Sequence, residues 1–290
     1  MITISILRDY FTLCKPRVVL LMLITSWVGM FLASPNLIPW HALIFGTLGI
    51  ATAAGSAAVI NHLIDRHIDI KMSRTATRPI ASGRISPTFA MIFAGILACV
   101  SILLLSIFVN TLTTILTFAT LFGYAFIYTI YLKRATPQNI VIGGIAGAMP
   151  PLLGWCAVSG DISPYAMLLV LIIFTWTPPH FWALAIYRAN DYAAAEIPML
   201  PVTHGKLFTK LCLILYTFLL LAVSCLPFIV GLAGIIYFSS AIILGSIFIW
   251  FALRLYFSNT NTEHKLAIKT FNYSIIYLVL LFTVLLCNRS

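Results

Sequence analysis

Acidic residues are scarce in this chain, which contains only seven Asp and Glu among 290 residues. Charged residues of both signs make up 8% of the sequence and hydrophobic residues 61%. A soluble domain is roughly 25% charged and 45–50% apolar. The composition therefore excludes a soluble globular protein, leaves no room for a separate soluble domain, and predicts an all-α polytopic membrane protein.

Cysteine motifs and targeting segments are also missing. The six cysteines form no CxxC pair and have no close spacing to histidine, so we interpret them as packing residues. The first residues show neither a cleavable signal nor a Ser- and Arg-rich transit segment. This favours a bacterial plasma membrane over the mitochondrial inner membrane.

Nine apolar stretches stand out when the sequence is read with a window of about 19 residues. Each is close to the length that crosses a hydrocarbon core of about 30 Å. We predict a single domain over residues 1–290, built as a bundle of nine transmembrane helices. The stretches lie at residues 17–35, 41–60, 88–109, 112–132, 140–158, 165–187, 208–230, 234–255 and 270–287.

Basic residues mark one side of the predicted membrane. They precede the first stretch and fill the connections after even-numbered stretches, whereas the odd-numbered connections contain no Lys or Arg. The positive-inside rule then places the N-terminus in the cytoplasm and the C-terminus on the opposite side. The net charge of +10 is divided among short loops, so no nucleic-acid partner is expected.

The acidic residues concentrate in two segments, predicted as loops at about 61–87 and 188–207 on the cytoplasmic face. They follow the second and sixth stretches, four helices apart and in the same orientation. This spacing favours two four-helix repeats plus one helix, with the site between the halves. In the first segment Asn61, Asp65 and Asp69 recur every fourth residue, so on a helix they lie along one face about 6 Å apart.

Oxygen ligands in such a row suit Mg²⁺, which accepts a few carboxylates together with substrate phosphates. Lys71, Arg74 and Arg78 follow directly and are suited to diphosphate oxygens. Two alternatives remain open: surface ion pairs with topogenic charges that touch anionic headgroups, and a transporter with an acidic gate. The transporter is less favoured because coupling sites usually lie near the bilayer midplane.

Several motifs carry a resemblance to a known family. The spacing Asn61-x₃-Asp65-x₃-Asp69 resembles the first signature of the UbiA-type intramembrane prenyltransferase superfamily. Further stretches are similar to the protohaem IX farnesyltransferases (haem O synthases) within it: Arg74-Thr75-x-x-Arg78-Pro79, the run TWTPPHFWALA at residues 175–185, and Tyr187-Arg188-x-x-Asp191-Tyr192.

The resemblance implies a nine-helix bundle that transfers farnesyl from farnesyl diphosphate to a vinyl group of haem B, with water supplying a hydroxyl. It implies Mg²⁺ as cofactor and haem A synthase or haem-copper oxidase assembly components as partners. By resemblance, the catalytic and metal-holding residues are Asn61, Asp65, Asp69 and Asp191, and the diphosphate-binding residues are Lys71, Arg74, Arg78, Tyr187 and Arg188. Many superfamily members have a second carboxylate four residues after the position of Asp191, where this chain has Ala195, with Glu196 one residue later.

His180, Trp176 and Trp182 are the candidates for a haem or acceptor pocket. The alternative is a structural role, in which these residues serve helix packing and His180 forms a hydrogen bond to a neighbouring helix. We expect the prolines before His180 to break the helix, and His62 and His67 to face solvent. A phenolic or quinone-precursor acceptor is the alternative within the superfamily, against which the Pro-Pro-His-Phe-Trp run argues.

Overall fold

The computed structural model describes residues 2–34, 36–72 and 75–288, and the regular structure of these residues is entirely helical. This confirms the all-α prediction. The helices are α1 (Ile2–Leu13), α2 (Pro16–Ala33), α3 (Ala42–Asp69), α4 (Pro87–Phe108), α5 (Thr111–Leu132), α6 (Asn139–Ala148), α7 (Pro150–Ser159), α8 (Pro164–Tyr187), α9 (Ala189–Ala194), α10 (Leu200–Thr203), α11 (Gly205–Ile229), α12 (Ile235–Tyr256) and α13 (Thr260–Cys287).

Nine helical stretches of the described residues are long and apolar enough to cross a membrane, as predicted. Two boundaries differ from the prediction. The second stretch continues to Asp69 and the last begins at Thr260. A helix is held by backbone hydrogen bonds, so it can extend into polar residues beyond the apolar stretch. The predicted loop from residue 61 was therefore wrong at its start: Asn61, Asp65 and Asp69 all lie on α3.

The chain divides into two compact units, and each is described separately. The first comprises Met1–Lys133 with Met149–Ile162, and the second comprises Arg134–Ala148 with Ser163–Ser290. The predicted pair of four-helix repeats with a site between them stays a prediction.

In the first unit, α2 and α7 approach so closely that their backbones touch. A Cβ on Gly29 would lie 2.0 Å from the carbonyl oxygen of Pro151, and one on Gly154 would lie 2.0 Å from that of Ser26. Only glycine fits at these two positions, as at small-residue interfaces between membrane helices. α3 packs against both α2 and α4.

A buried apolar cluster holds the segment after α3 against the helices. It contains Leu13, Val59, Leu63, Ile80, Ile85, Ala90 and Ala94. Ile80 and Ile85 belong to the connection between α3 and α4, so their burial fixes that connection beneath the end of α3. Arg78, two residues before Ile80, and Arg84, directly before Ile85, are positioned in this way.

In the second unit α8 is the central helix and packs against α6, α11 and α13. Pro178 and Pro179 lie inside it, yet the helix runs without interruption from Pro164 to Tyr187, so the predicted break was wrong. Interior prolines of this kind are tolerated in membrane helices that pack against other helices. α6 packs closely against this part of α8: a Cβ added to Gly144 would lie 2.9 Å from the side chain of Thr177.

Candidate active site

The polar row on α3 is buried. Asn61 is 5% exposed, Asp65 1% and Asp69 4%. The helix persists through the row, and its end is stabilised where the Thr75 hydroxyl donates to the backbone carbonyl of Asp69 at 2.9 Å. Buried carboxylates are costly unless paired, so their partners decide what this row can do.

Three cations from different segments meet the row. Lys15 Nζ donates to Asn61 Oδ1 at 2.6 Å, and Lys133 Nζ donates to Asp65 Oδ2 at 2.6 Å. Arg78 Nη1 lies 2.8 Å from each oxygen of Asp69. Within the row itself, Asn61 Nδ2 donates to Asp65 Oδ2 at 2.8 Å. The result is a cluster of one buried amide, two buried carboxylates and three half-buried cations, which we call the α3 cluster.

The structure brings Arg78 into contact with Asp69, and its role in diphosphate binding stays a prediction. The structure also brings Lys15 and Lys133 to the cluster, two of the basic residues interpreted above as markers of membrane topology. The sequence signal that could have identified these two lysines as site residues is their position, directly before α2 and directly after α5. That position is equally typical of topogenic charge. Only the folded chain distinguishes the two roles.

Lys15 is held in an unusual state. Its backbone has φ 52° and ψ 59°, a left-handed conformation that non-glycine residues rarely adopt. Burial lowers the pKa of its ammonium group to about 7, with the nearby charges of Arg78 and Lys133 acting in the same direction and those of Asp65 and Asp69 opposing. Both features indicate that the fold forces this ammonium into the cluster.

The cluster fits a divalent cation through one atom in particular. Asp65 Oδ1 is buried and makes no hydrogen bond to the described chain. Such an orphaned acceptor normally costs about 1–3 kcal/mol. An oxygen ligand set of this kind suits Mg²⁺, although the described residues include no preformed group of three or more His, Cys, Asp or Glu around one point. The remaining carboxylate oxygens accept from Lys133 and Arg78, and the Asn61 amide oxygen accepts from Lys15.

His62 is a further buried group beside the row. It is 3% exposed, and neither ring nitrogen has a hydrogen-bond partner in the described chain. The expectation that it faces solvent was therefore wrong: three consecutive residues of α3, Asn61, His62 and Leu63, are all buried. His67, one and a half turns later, is exposed as expected.

The other predicted diphosphate residues are Lys71, Arg74, Tyr187 and Arg188. Lys71 is exposed, and Arg74 lies outside the described residues. In the second unit Arg188 Nη1 donates to Asp191 Oδ2 at 3.1 Å, and the Arg188 guanidinium lies 5.0 Å from the centre of the Tyr187 ring. The predicted group of Asp191, Tyr187 and Arg188 is therefore assembled locally.

Glu196 does not reproduce the superfamily spacing. α9 ends at Ala194, Ala195 is buried, and Glu196 follows with a left-handed backbone and an exposed side chain. The helical position one turn after Asp191 thus belongs to Ala195. Its methyl group has no ligand to offer.

His180 lies between two aromatic rings in the second unit. It is 7% exposed and stacks on Trp176 at 4.2 Å and on Phe271 at 4.5 Å between ring centres. Its Nδ1 lies 2.6 Å from the hydroxyl of Ser274, and that hydroxyl donates its single proton to the carbonyl of Phe271 at 2.6 Å. Nδ1 must then be the donor, which leaves Nε2 with a free lone pair.

Trp176 and Trp182 take different positions around α8. The indole N–H of Trp176 donates to the carbonyl of Ser274 at 2.7 Å, so it helps hold α8 against α13. Trp182 packs edge-on against Tyr216 at 5.2 Å, and its buried indole N–H has no partner in the described chain. Packing explains Trp176 fully, whereas the donor of Trp182 remains available for an acceptor.

The comparisons with known proteins agree with this geometry. A model of the UbiA prenyltransferase family matches residues 22–276. A curated relative from Legionella pneumophila (strain Paris), named protoheme IX farnesyltransferase, is 60% identical over 97% of this chain and 95% of its own. One from Teredinibacter turnerae with the same name is 56% identical over 97% of this chain and 90% of its own.

Solved structures share the fold at low identity. A digeranylgeranylglyceryl phosphate synthase has a TM-score of 0.79 with 20% identity, covering 97% of both chains. A UbiA homolog from Archaeoglobus fulgidus, bound to GPP and Mg²⁺, has a TM-score of 0.65 with 16% identity over 96% of this chain and 99% of its own. With the relatives' identity and the family match, these findings show that this integral membrane protein is a prenyltransferase and belongs to the UbiA prenyltransferase family.

Proposed function

We propose that this protein transfers the farnesyl group of farnesyl diphosphate to a vinyl group of haem B and adds water, giving haem O and diphosphate. The observation that carries the choice of substrates is 60% identity, over 97% of the chain, to a relative named protoheme IX farnesyltransferase. The α3 cluster supports the chemistry, because buried oxygen ligands and three cations suit a metal-bound diphosphate. We further propose a bacterial plasma membrane as the location, consistent with the bacterial relatives.

The donor half of the reaction is assigned to the α3 cluster. Asn61, Asp65 and Asp69 would hold Mg²⁺, with Asp191 added by the sequence motif. When bound, Mg²⁺ supplies positive charge that stabilises the diphosphate as a leaving group. Lys15, Arg78 and Lys133 are preorganised donors for the same developing negative charge, and we add Lys71, Arg74, Tyr187 and Arg188 from their sequence positions.

The proposed reaction involves the following bond changes. The C1–O bond of farnesyl diphosphate breaks, and both electrons leave with the diphosphate. The terminal vinyl carbon of haem then donates its π electrons to the allylic cation and forms the new C–C bond. Water adds to the cation left on the inner vinyl carbon and loses a proton to diphosphate or solvent.

The stacked pair Tyr124 and Tyr128 on α5, with ring centres 5.4 Å apart, is suited to shield an allylic cation. Tyr124 packs against the Ala53 and Ala57 stretch of α3, less than three turns from Asn61. The pair therefore belongs to the same unit as the α3 cluster.

The acceptor half is assigned to the second unit. The free Nε2 lone pair of His180 has the form that binds haem iron, since a ligating histidine usually donates its other ring N–H to a neighbour. The indole N–H of Trp182 offers a donor to a polar group of the acceptor. A partnership with haem A synthase or oxidase assembly components stays a prediction from the resemblance.

The test is an assay of purified protein in detergent with haem B, farnesyl diphosphate and Mg²⁺, with pigments separated by chromatography and identified by mass. We expect a haem carrying one farnesyl group and one added water, and no product after chelation of the metal. Release of diphosphate without any change in haem would overturn the acceptor and favour a phenolic or quinone-precursor substrate. A folded preparation that releases no diphosphate with any acceptor would overturn the donor.

A further inference from the structure

A groove lies between α12 and α13 in the second unit, and none of the residues that line it is assigned above to substrate or metal binding. Its volume is about 580 Å³. Each helix contributes a stripe at positions i, i+3, i+4 and i+7, the spacing of one helix face. The stripes are Trp250, Leu253, Arg254 and Phe257 on the α12 side, and Thr262, Lys265, Leu266 and Lys269 on α13, with Ser258 and Asn259 closing the end.

The groove carries positive charge that no ion pair among the described residues neutralises. Arg254, Lys265 and Lys269 line it, and no acidic residue does. None of these three cations forms an ion pair in the part of the chain that the structure describes. Three unpaired cations around one concave space are suited to an anion.

The nearest acidic residue in sequence is already occupied. Glu263 lies on α13, but its two oxygens accept from Lys206 at 2.6 Å and Lys210 at 2.7 Å. The Lys210 ammonium also donates to Ser258 at 3.1 Å, which ties the closing end of the groove to α11. Glu263 therefore clamps α13 against α11 and leaves the charge of the groove uncompensated.

The chemistry of the walls points to an amphiphilic anion at the membrane surface. Trp250 and Phe257 are exposed, and Arg254 lies 4.9 Å from the centre of the Trp250 ring. Exposed aromatic and basic side chains together are typical of headgroup level. Lys265 and Lys269 lie on the polar start of α13, directly before the apolar stretch predicted from residue 270, so the cations stand at the edge of that stretch.

We propose that this groove binds an anionic phospholipid, with its phosphate between Arg254, Lys265 and Lys269 and its chains against Trp250 and Leu266. A lipid headgroup is the committed occupant because the exposed rings of Trp250 and Phe257 line the groove beside the three cations, whereas a free phosphate would use the cations alone. The proposal does not depend on which substrates the enzyme uses.

The experiment measures lipid binding to the delipidated full-length protein in detergent by native mass spectrometry. Dioleoylphosphatidylglycerol and dioleoylphosphatidylcholine are the two probes. We expect preferential binding of the anionic lipid, and a loss of about 30-fold in its affinity for Lys265→Gln/Lys269→Gln, since each cation near an anionic headgroup contributes about fivefold. The matched control is Arg8→Gln/Arg17→Gln, which removes the same charge from two exposed residues at the other end of the chain and should bind as the wild type does.

Three results would overturn the proposal: equal binding of the two lipids by the wild type, unchanged affinity in the Lys265 and Lys269 variant, or an equal loss in the control variant. A fourth is complete displacement of the lipid by millimolar inorganic phosphate, which would make this a site for free anions. If the double variant fails to elute as the wild type does, Arg254→Gln, which leaves α13 unchanged, replaces it with an expected loss of about fivefold.

Discussion

At the scale of single residues, Asp65 has the most demanding environment in the described chain. One oxygen accepts from both Asn61 and Lys133, and the other is buried with no partner. A purely structural carboxylate would have both oxygens satisfied. This unpartnered oxygen is the observation on which the proposed role of Asp65 as a metal ligand rests.

The first prediction concerns this charge. Asp65→Asn should lower prenyl transfer roughly a thousandfold, because stabilisation of the departing diphosphate is lost, while the protein still inserts and elutes as the wild type does. Turnover under saturating substrates is the measurement. The matched control is Asp161→Asn, an exposed residue of the α7–α8 connection, and wild-type turnover in a folded Asp65 variant would remove Asp65 from the mechanism.

The second prediction concerns pH and Lys15. The pKa of Lys15 is about 7 in the folded protein and 10.5 in a free side chain, so between these values the unfolded chain binds more protons than the folded one. The free energy of unfolding therefore rises with pH across this window. In metal-free protein the melting temperature of the wild type should rise from pH 7 to pH 9 relative to that of Lys15→Gln, and parallel profiles would contradict the assignment.

At the scale of elements, contacts between helices decide which side chains reach the sites. Lys15 directly precedes α2. α2 packs against α7 through Gly29 on α2 and Gly154 on α7, each of which faces a backbone carbonyl oxygen of the other helix. A shift of α2 would move Lys15 away from Asn61. The geometry of the α3 cluster therefore depends on backbone contacts that lie about three to four turns away on α2.

The third prediction tests that contact. Gly29→Ala should destabilise the protein by about 1–3 kcal/mol, because the new methyl group meets the Pro151 carbonyl and the helices must separate. Gly147→Ala is the control, since a Cβ there has nothing within 4 Å and alanine favours a helix by up to about 1 kcal/mol. Thermal denaturation in one detergent compares the two variants. Equal melting temperatures would show that α2 and α7 can move apart without a loss of stability.

The fourth prediction tests the contact between α8 and α13 around His180. If Nε2 binds haem iron, His180→Ala should abolish the shift of the haem Soret band that accompanies binding to the protein. Ser274→Ala should weaken haem binding about tenfold, because it removes the acceptor of the Nδ1–H hydrogen bond. Affinity for farnesyl diphosphate should stay at the wild-type value in both variants. His67→Ala is the control because this side chain is exposed, and wild-type haem binding in His180→Ala would assign His180 to packing.

At the scale of the whole molecule, the distribution of basic residues predicts the direction of insertion. The fifth prediction is that a reporter fused at the C-terminus lies outside the cytoplasm, so that alkaline phosphatase is active there and green fluorescent protein is dark. The same reporters fused after residue 259, before α13 begins, should give the opposite result. Identical behaviour at the two positions would show that α13 does not cross the membrane.

Much of this molecule follows from local patterns in its sequence. Apolar stretches predict the membrane helices because a span needs only enough consecutive apolar residues. The fourfold spacing of Asn61, Asp65 and Asp69 predicts a polar row because helix periodicity places them on one face. Helix ends were less predictable, since α3 and α13 each continue into polar residues where hydropathy falls.

The sequence alone thus determined the helical membrane architecture, the polar row and the resemblance to a prenyltransferase family. Tertiary structure alone decided that Lys15 and Lys133 reach this row, that His62 is buried beside it, and that His180 lies between two rings with one nitrogen free. The lysines are 46 and 68 residues from their partners, and no local periodicity connects positions so far apart. Their meeting is set by helix packing, which brings together charges that the sequence shows only as the ends of separate spans.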